Sequence, residues 1–96
     1  MDLKKGTRIY YHGDVANRSG AGTIAREITD EWGEFVDIDL DDGRDINRLP
    51  LTMFSKEYKG HAVTRFVTLE AYNTWRRAQF AHYAERYGWG EYQDRQ

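Results

Sequence analysis

Residues 35–54 read FVDIDLDDGRDINRLPLTMF, and this stretch decides the fold. Val36, Ile38 and Leu40 alternate with Asp37, Asp39 and Asp41, the period-two pattern of a strand with one dry face and one wet face. Asp42-Gly43 supplies a turn, because glycine enters positive φ without a Cβ clash. Residues 44–49 return as a second strand, which Pro50 ends by withdrawing a ladder donor. A three-residue loop with Gly43 in a bulge sets Ile38 opposite Ile46 and buries both on one face. A two-residue loop puts Ile46 among the aspartates, so the bulged register is the expected one. This hairpin predicts a small β-barrel.

Working outward, residues 7–11 (TRIYY) are rich in β-branched and aromatic side chains and read as a first strand. A glycine-containing loop over 15–22 leads to a second strand at 22–28, with Ile24 and Ile28 on one parity. Residues 29–33 turn into the central hairpin. After Pro50, residues 51–54 suit a single 3₁₀ turn. Residues 55–60 form a polar connection, and 62–67 (AVTRFV) a closing strand. Helical signals begin at Thr68, a good N-cap, with Glu70 in the first turn and Gly88 as the stop. Leu69, Tyr72, Arg76, Phe80, Tyr83 and Tyr87 share one helical face. That stripe is expected either to close one barrel mouth or to pack on another chain. The expected class is mainly β: a five-stranded barrel over 1–67, an amphipathic C-terminal helix over 68–88, and a frayed tail over 89–96.

The chain has 96 residues, enough for one domain. It has no cysteine, which excludes disulfides, thiolate metal sites and a thiol nucleophile. No apolar run reaches the ~18 residues of a membrane span, and the charged start does not read as a signal peptide. No membrane association and a cytoplasmic location are expected. Net charge is −2, but it is segregated along the chain. Residues 1–26 carry +3, residues 27–45 carry −8 from nine acids against Arg44 alone, and the remainder carries +3.

Five short strands with a 3₁₀ turn ahead of the last resemble the outline of an SH3-like barrel. Val36-x-Ile38 followed by Asp41-Asp42-Gly43-Arg44 resembles the hairpin of Tudor domains. Asp42 stands where that family carries an aromatic of its methyl-ligand cage. Gly13, Gly20 and Gly22 followed by Thr23-Ile24 resemble the glycine-spaced loop of KOW-type modules, which implies a nucleic-acid-binding alternative. The helix lies outside these resemblances.

No catalytic pattern emerges. Asp37, Asp39 and Asp41 have the spacing that opens a calcium loop, but the required glycine and glutamate positions hold Asp42 and Arg48. His12, His61 and His82 lack metal-ligand spacing, and neither Ser19 nor Ser55 lies in a nucleophile elbow. The expectation is a non-enzymatic binding module without a cofactor, either an adaptor or an inhibitor docking on a nucleic-acid-binding enzyme. Its candidate partner-binding residues are Asp37, Asp39, Asp41, Asp42, Tyr72, Arg76 and Tyr83, facing a protein with a basic surface. A homodimer through the 69–87 helix follows from the same stripe. The alternative is nucleic-acid binding through Lys4, Lys5, Arg8, Tyr11, Arg18, Arg26 and Trp32. In that reading Tyr10, Tyr11, Trp32 and Phe35 gather at one barrel end as a stacking platform.

Overall fold

Val36, Ile38 and Leu40 are at most 4% exposed, so the alternating strand has its dry face inward as expected. The computed structural model describes residues 3–56, 65–88, 90 and 92–95. In it, β1 (Arg8–Tyr11), β2 (Gly20–Asp30), β3 (Gly33–Leu40), β4 (Asp45–Pro50) and β5 (Phe66–Thr68) form one antiparallel sheet in the order β4-β3-β2-β1-β5. A 3₁₀ turn at Leu51–Met53 follows β4, and helix α1 (Leu69–Tyr87) follows β5 directly. The protein is therefore mainly β with one helix. Of the expected closing strand at 62–67, residues 62–64 lie outside the described residues.

The central hairpin takes the bulged register. Ile38 pairs with Ile46 and Asp39 with Asp45. Leu40 N donates to Arg44 O at 2.8 Å, and Gly43 N donates to Leu40 O at 3.0 Å. Asp41, Asp42 and Gly43 thus form the three-residue loop, with Gly43 at φ 92°. The other hairpin is tighter than the sequence implied. β2 runs on to Asp30, which pairs with Gly33, leaving only Glu31 and Trp32 in the turn.

Two register shifts flank β3. In β2, Ala25 is an extra residue between Ile24, opposite Ile38, and Arg26, opposite Asp37. The inserted residue reverses the parity beyond it. Ile28 therefore faces outward with Phe35, which corrects the expectation that it shares a face with Ile24. In β4, Asn47 and Arg48 both oppose Asp37, because Val36 pairs with Leu49 while Ile38 pairs with Ile46.

The sheet buries residues on both sides. Ile9, Tyr11, Ile24, Val36, Ile38, Leu40, Ile46, Leu49, Phe66 and Leu3 fill the inner face. On the outer face of β1 and β5, Tyr10, Ala21 and Val67 meet Leu69 and Tyr72 of α1. The helix thus covers a sheet face and not a barrel mouth. No ladder joins β4 to β5 among the described residues, so the sheet is open there. Residues 53–55 line the outer edge of β5, through Arg65 N to Met53 O at 2.9 Å and Ser55 N to Phe66 O at 3.2 Å. Thr68 caps α1 by accepting from Ala71 N at 3.1 Å, and Gly88 ends it at φ 68°, as the sequence predicts.

Two glycines test this packing for different reasons. A Cβ on Gly22 would meet Asp39 O at 2.6 Å, a backbone atom that cannot step aside alone. A Cβ on Gly43 meets nothing within 4 Å, leaving only its positive φ as a penalty. Gly43→Ala should cost about 1–2 kcal/mol from left-handed strain, and Gly22→Ala about 1–3 kcal/mol from overpacking. Urea titration should rank Gly22→Ala as the more damaging. The reverse order would place the tight approach of β2 to β3 elsewhere.

Candidate binding surface

The charge segregation seen along the chain is partly offset across the ladder. Arg8 of β1 and Arg26 of β2 come from the basic end of the sequence and lie beside the acidic β3–β4 hairpin, while Glu27 and Asp30 put the far end of β2 in the acidic stretch itself. Arg8 grips Asp41 with two hydrogen bonds of 2.7 Å, and its Nη1 also donates to Thr23 at 3.0 Å. Arg26 Nε lies 3.1 Å from Asp37 Oδ2, and Arg44 Nε 2.8 Å from Asp42 Oδ2. Hydrogen bonds from Arg8 hold the Asp41 carboxyl below its ordinary range, as the Arg44 backbone N–H does for Asp42. Two residues of the expected acidic surface, Asp37 and Asp41, are thus the partners of two from the expected basic surface, Arg26 and Arg8.

Asp39 differs from its neighbours. It stands directly opposite Asp45, and the hydrogen bond between their carboxyl groups, with burial and repulsion behind it, raises the Asp39 titration. Lys4, Lys5 and Arg18 are exposed. Tyr11 is 1% exposed in the inner core. Tyr72 is buried, stacked on Tyr10 with ring centroids 3.7 Å apart. Arg76 lies over Tyr72 at 5.7 Å and over Tyr92 at 5.5 Å, and Tyr83 is exposed. The four expected platform aromatics do not gather. Tyr10 and Tyr11 point to opposite faces of β1, while Trp32 and Phe35 sit at the β2–β3 end.

At that end the fold builds a site around Arg48. Among the described residues Arg48 is the non-glycine residue with positive φ, at 54°. Such a conformation costs about 1–3 kcal/mol and persists only where its surroundings hold it. Here Arg48 N donates to Asp37 Oδ1 at 2.7 Å. Its guanidinium carbon lies 4.1 Å from the centre of the Phe35 ring and 6.0 Å from that of Trp32. Its Nη2 also pairs with Asp30, whose other oxygen accepts from Trp32 N at 2.8 Å. These bonds draw the Asp30 carboxyl below its usual range, the Arg48 bond contributing most. Trp32 remains 74% exposed above this framework. Trp32 and Phe35 were legible as aromatics, but Arg48 was missed. One signal existed: Ile46 and Leu49 are spaced by three within a strand, which marks an inserted residue.

Beside the open edge, a cleft of about 390 Å³ is lined by Tyr11, Asp14, Asn17, Asn47, Met53 and Arg65 among others. Tyr11 donates from its hydroxyl to Asp14 at 2.7 Å, and Asp14 also accepts from the backbone of Ala16 and Asn17 at 2.8 Å each. Asp14 is thereby brought down to about 2, while burial first and the Asp14 bond second push the Tyr11 phenol up to about 12. This is a loop lock for residues 13–17, reinforced by Arg65 Nη1 donating to Gly13 O at 2.7 Å.

No protein-family description, curated protein or solved structure matches this chain.

The lock has opposite consequences at the two pH extremes. The Asp14 value is lowered on folding, so its stabilisation is full above the ordinary carboxylate value of 3.8 and is lost as pH falls towards about 2. The Tyr11 value is raised, so its contribution is full below 10.0 and is lost as pH climbs through about 12. Tyr11→Phe should therefore flatten the decline of the urea midpoint at both extremes. Parallel wild-type and variant curves would show that the bond is not part of the folded state in solution.

Proposed function

We propose that this chain is a non-enzymatic protein-binding module whose principal contact is the β2–β3 end, with Trp32 as anchor and Arg48 and Phe35 beneath it. The observation that carries this reading is an indole left 74% exposed over an arginine that the fold strains to hold in place. Trp and Arg are the residue types that most often dominate interfaces, and pre-ordering reduces the entropy lost on binding. Beside this platform Asp30 and Asp37 face Arg48 and Arg26, and Glu31 is exposed in the turn next to Trp32, while Glu27, opposite Val36, and Glu34, two residues before it, take the parity of the other face. On the platform's own face these three acids exceed the two arginines by one. Such a rim favours a partner with basic side chains and opposes phosphate. It suits an adaptor, or an inhibitor that occupies the basic surface of a nucleic-acid-binding enzyme. Asp39 and Asp45 extend the same negative face along the hairpin. The strand order and the 3₁₀ turn ahead of β5 support reading the sheet as an SH3-like barrel with one open seam.

Arg48→Gly separates this role from stability, because glycine adopts positive φ without strain. We expect Arg48→Gly to keep or raise the melting temperature while weakening partner binding about tenfold, and Trp32→Ala to weaken it at least about 30-fold, the scale of an interface anchor. Titration calorimetry against a partner co-purified with the wild-type chain measures both. Unchanged affinity in both variants, together with loss of DNA or RNA binding in Arg18→Glu, would transfer the function to the nucleic-acid alternative.

A further inference from the structure

Only the start of α1 is buried: Leu69, Tyr72 and Asn73. The rest carries the molecule out to a long dimension of 51 Å against 25 and 24 Å for the others. Against this helix lies the segment 92–95, the described part of the tail past Gly90, held by side-chain contacts. Its contacts read the segment residue by residue. Asn73, 7% exposed, closes a two-bond ring with the backbone of Arg95, its Nδ2 donating to Arg95 O at 2.9 Å and its Oδ1 accepting from Arg95 N at 3.0 Å. This is the pairing that a neighbouring strand would give. Arg77 takes Asp94 in a fork, Nε to Oδ1 at 2.9 Å and Nη2 to Oδ2 at 2.6 Å. The Tyr92 ring packs 5.4 Å from Phe80, and its hydroxyl donates to Asn73 O at 3.4 Å. The Arg95 guanidinium lies 5.4 Å over Tyr10.

These features amount to a recognition site for an extended peptide with an aromatic residue, then an acid two positions on, then a basic residue. A buried side-chain amide fixes the backbone, a bidentate arginine selects the acid, and aromatic faces take the other two side chains. The segment reaches the site through a short connection containing Gly88 and Gly90, with Gly88 in the left-handed conformation. Glycines of this kind let a connection re-extend.

We propose that the helix face of Asn73, Arg77, Phe80 and Tyr10 takes the 92–95 segment from a second copy of this chain as well as from its own, giving a reciprocal exchanged dimer. The chemistry that the face reads is the chemistry the chain itself carries, so a second copy is a fitting occupant. Exchange preserves every contact and forfeits only the high effective concentration of the attached segment. This site lies away from Trp32 and does not depend on the proposed partner contact.

A charge-swap pair tests exchange in the full-length chain. Arg77→Asp faces its own Asp94, and Asp94→Arg faces its own Arg77, so each single variant repels its segment. In a mixture, each face meets a complementary segment on the other chain. Arg77 and Asp94 are exposed at 53% and 43%, so neither change threatens the fold, which circular dichroism confirms. We expect each variant alone to sediment at 11.3 kDa. At roughly 10⁻⁴ M, below the millimolar effective concentration of a short linker, the mixture should move towards twice that mass. Adding Asn73→Ala to both chains should return the mixture to monomer. A mixture that sediments as its components do, or a dimer indifferent to Asn73→Ala, would overturn the proposal.

Discussion

The burial of Val36, Ile38 and Leu40 on one side of β3 is the constraint from which the other features follow. β3 is the middle of the hairpin system, with β2 on one flank and β4 on the other. Any one-residue slip would exchange these apolar side chains for Asp37 and Asp39. Both neighbours nevertheless carry an inserted residue, Ala25 in β2 and the Asn47–Arg48 pair in β4. The insertions keep Ile24, Ile46 and Leu49 inward on either side of the irregularity. They also turn Ile28 outward and place Arg48 over Phe35. The exposed Trp32 platform is thus a by-product of holding the inner core in register.

β1 serves both cores, and this fixes the helix. Ile9 and Tyr11 point inward, while Tyr10 points outward to stack on Tyr72. A stacked aromatic pair adds roughly 0.5–1.5 kcal/mol beyond area burial. It anchors a helix that has few other buried residues. An isolated helix of this length is marginal in water, and the Tyr10–Tyr72 contact holds the start of this one on the sheet. The segment covers part of the aromatic stripe that the sequence offered as an interface. Phe80 packs on Tyr92, while Trp75, Gln79 and Tyr83 line the remaining groove of about 450 Å³.

The electrostatics show how sheet topology redistributes charge. Along the chain the acidic and basic stretches are separate, but antiparallel pairing lays one across the other. Exposed pairs of this kind contribute little to stability, about 0–1 kcal/mol each. Their larger effect is on the surface field, which they mute near Arg8 and Arg26, while Asp39 and Asp45 face each other across the ladder. The hydrogen bond between the Asp39 and Asp45 carboxyl groups, with burial and repulsion behind it, raises the Asp39 titration, the opposite direction from Asp41 and Asp42 two and three residues on.

The sequence by itself determined the features whose causes are local. Alternation in residues 36–41, the Gly43 loop, the 3₁₀ turn after Pro50 and the Thr68 and Gly88 caps each depend on a few adjacent residues, and each stands where it was expected. The tertiary structure alone decided the rest. A bulge is visible only when two strands are compared, so the parity of Ile28 and the strain at Arg48 had no short-range signature beyond the Ile46–Leu49 spacing. Ion pairs such as Arg8–Asp41 join residues far apart in sequence, and they reversed the meaning of a charge count taken along the chain. Asn73 carries no signal of its own in the sequence, because it is the backbone of Arg95, far along the chain, that satisfies both ends of its amide. In each case the deciding partner is supplied by distant chain, which is why local pattern could name the elements but not the surfaces they build.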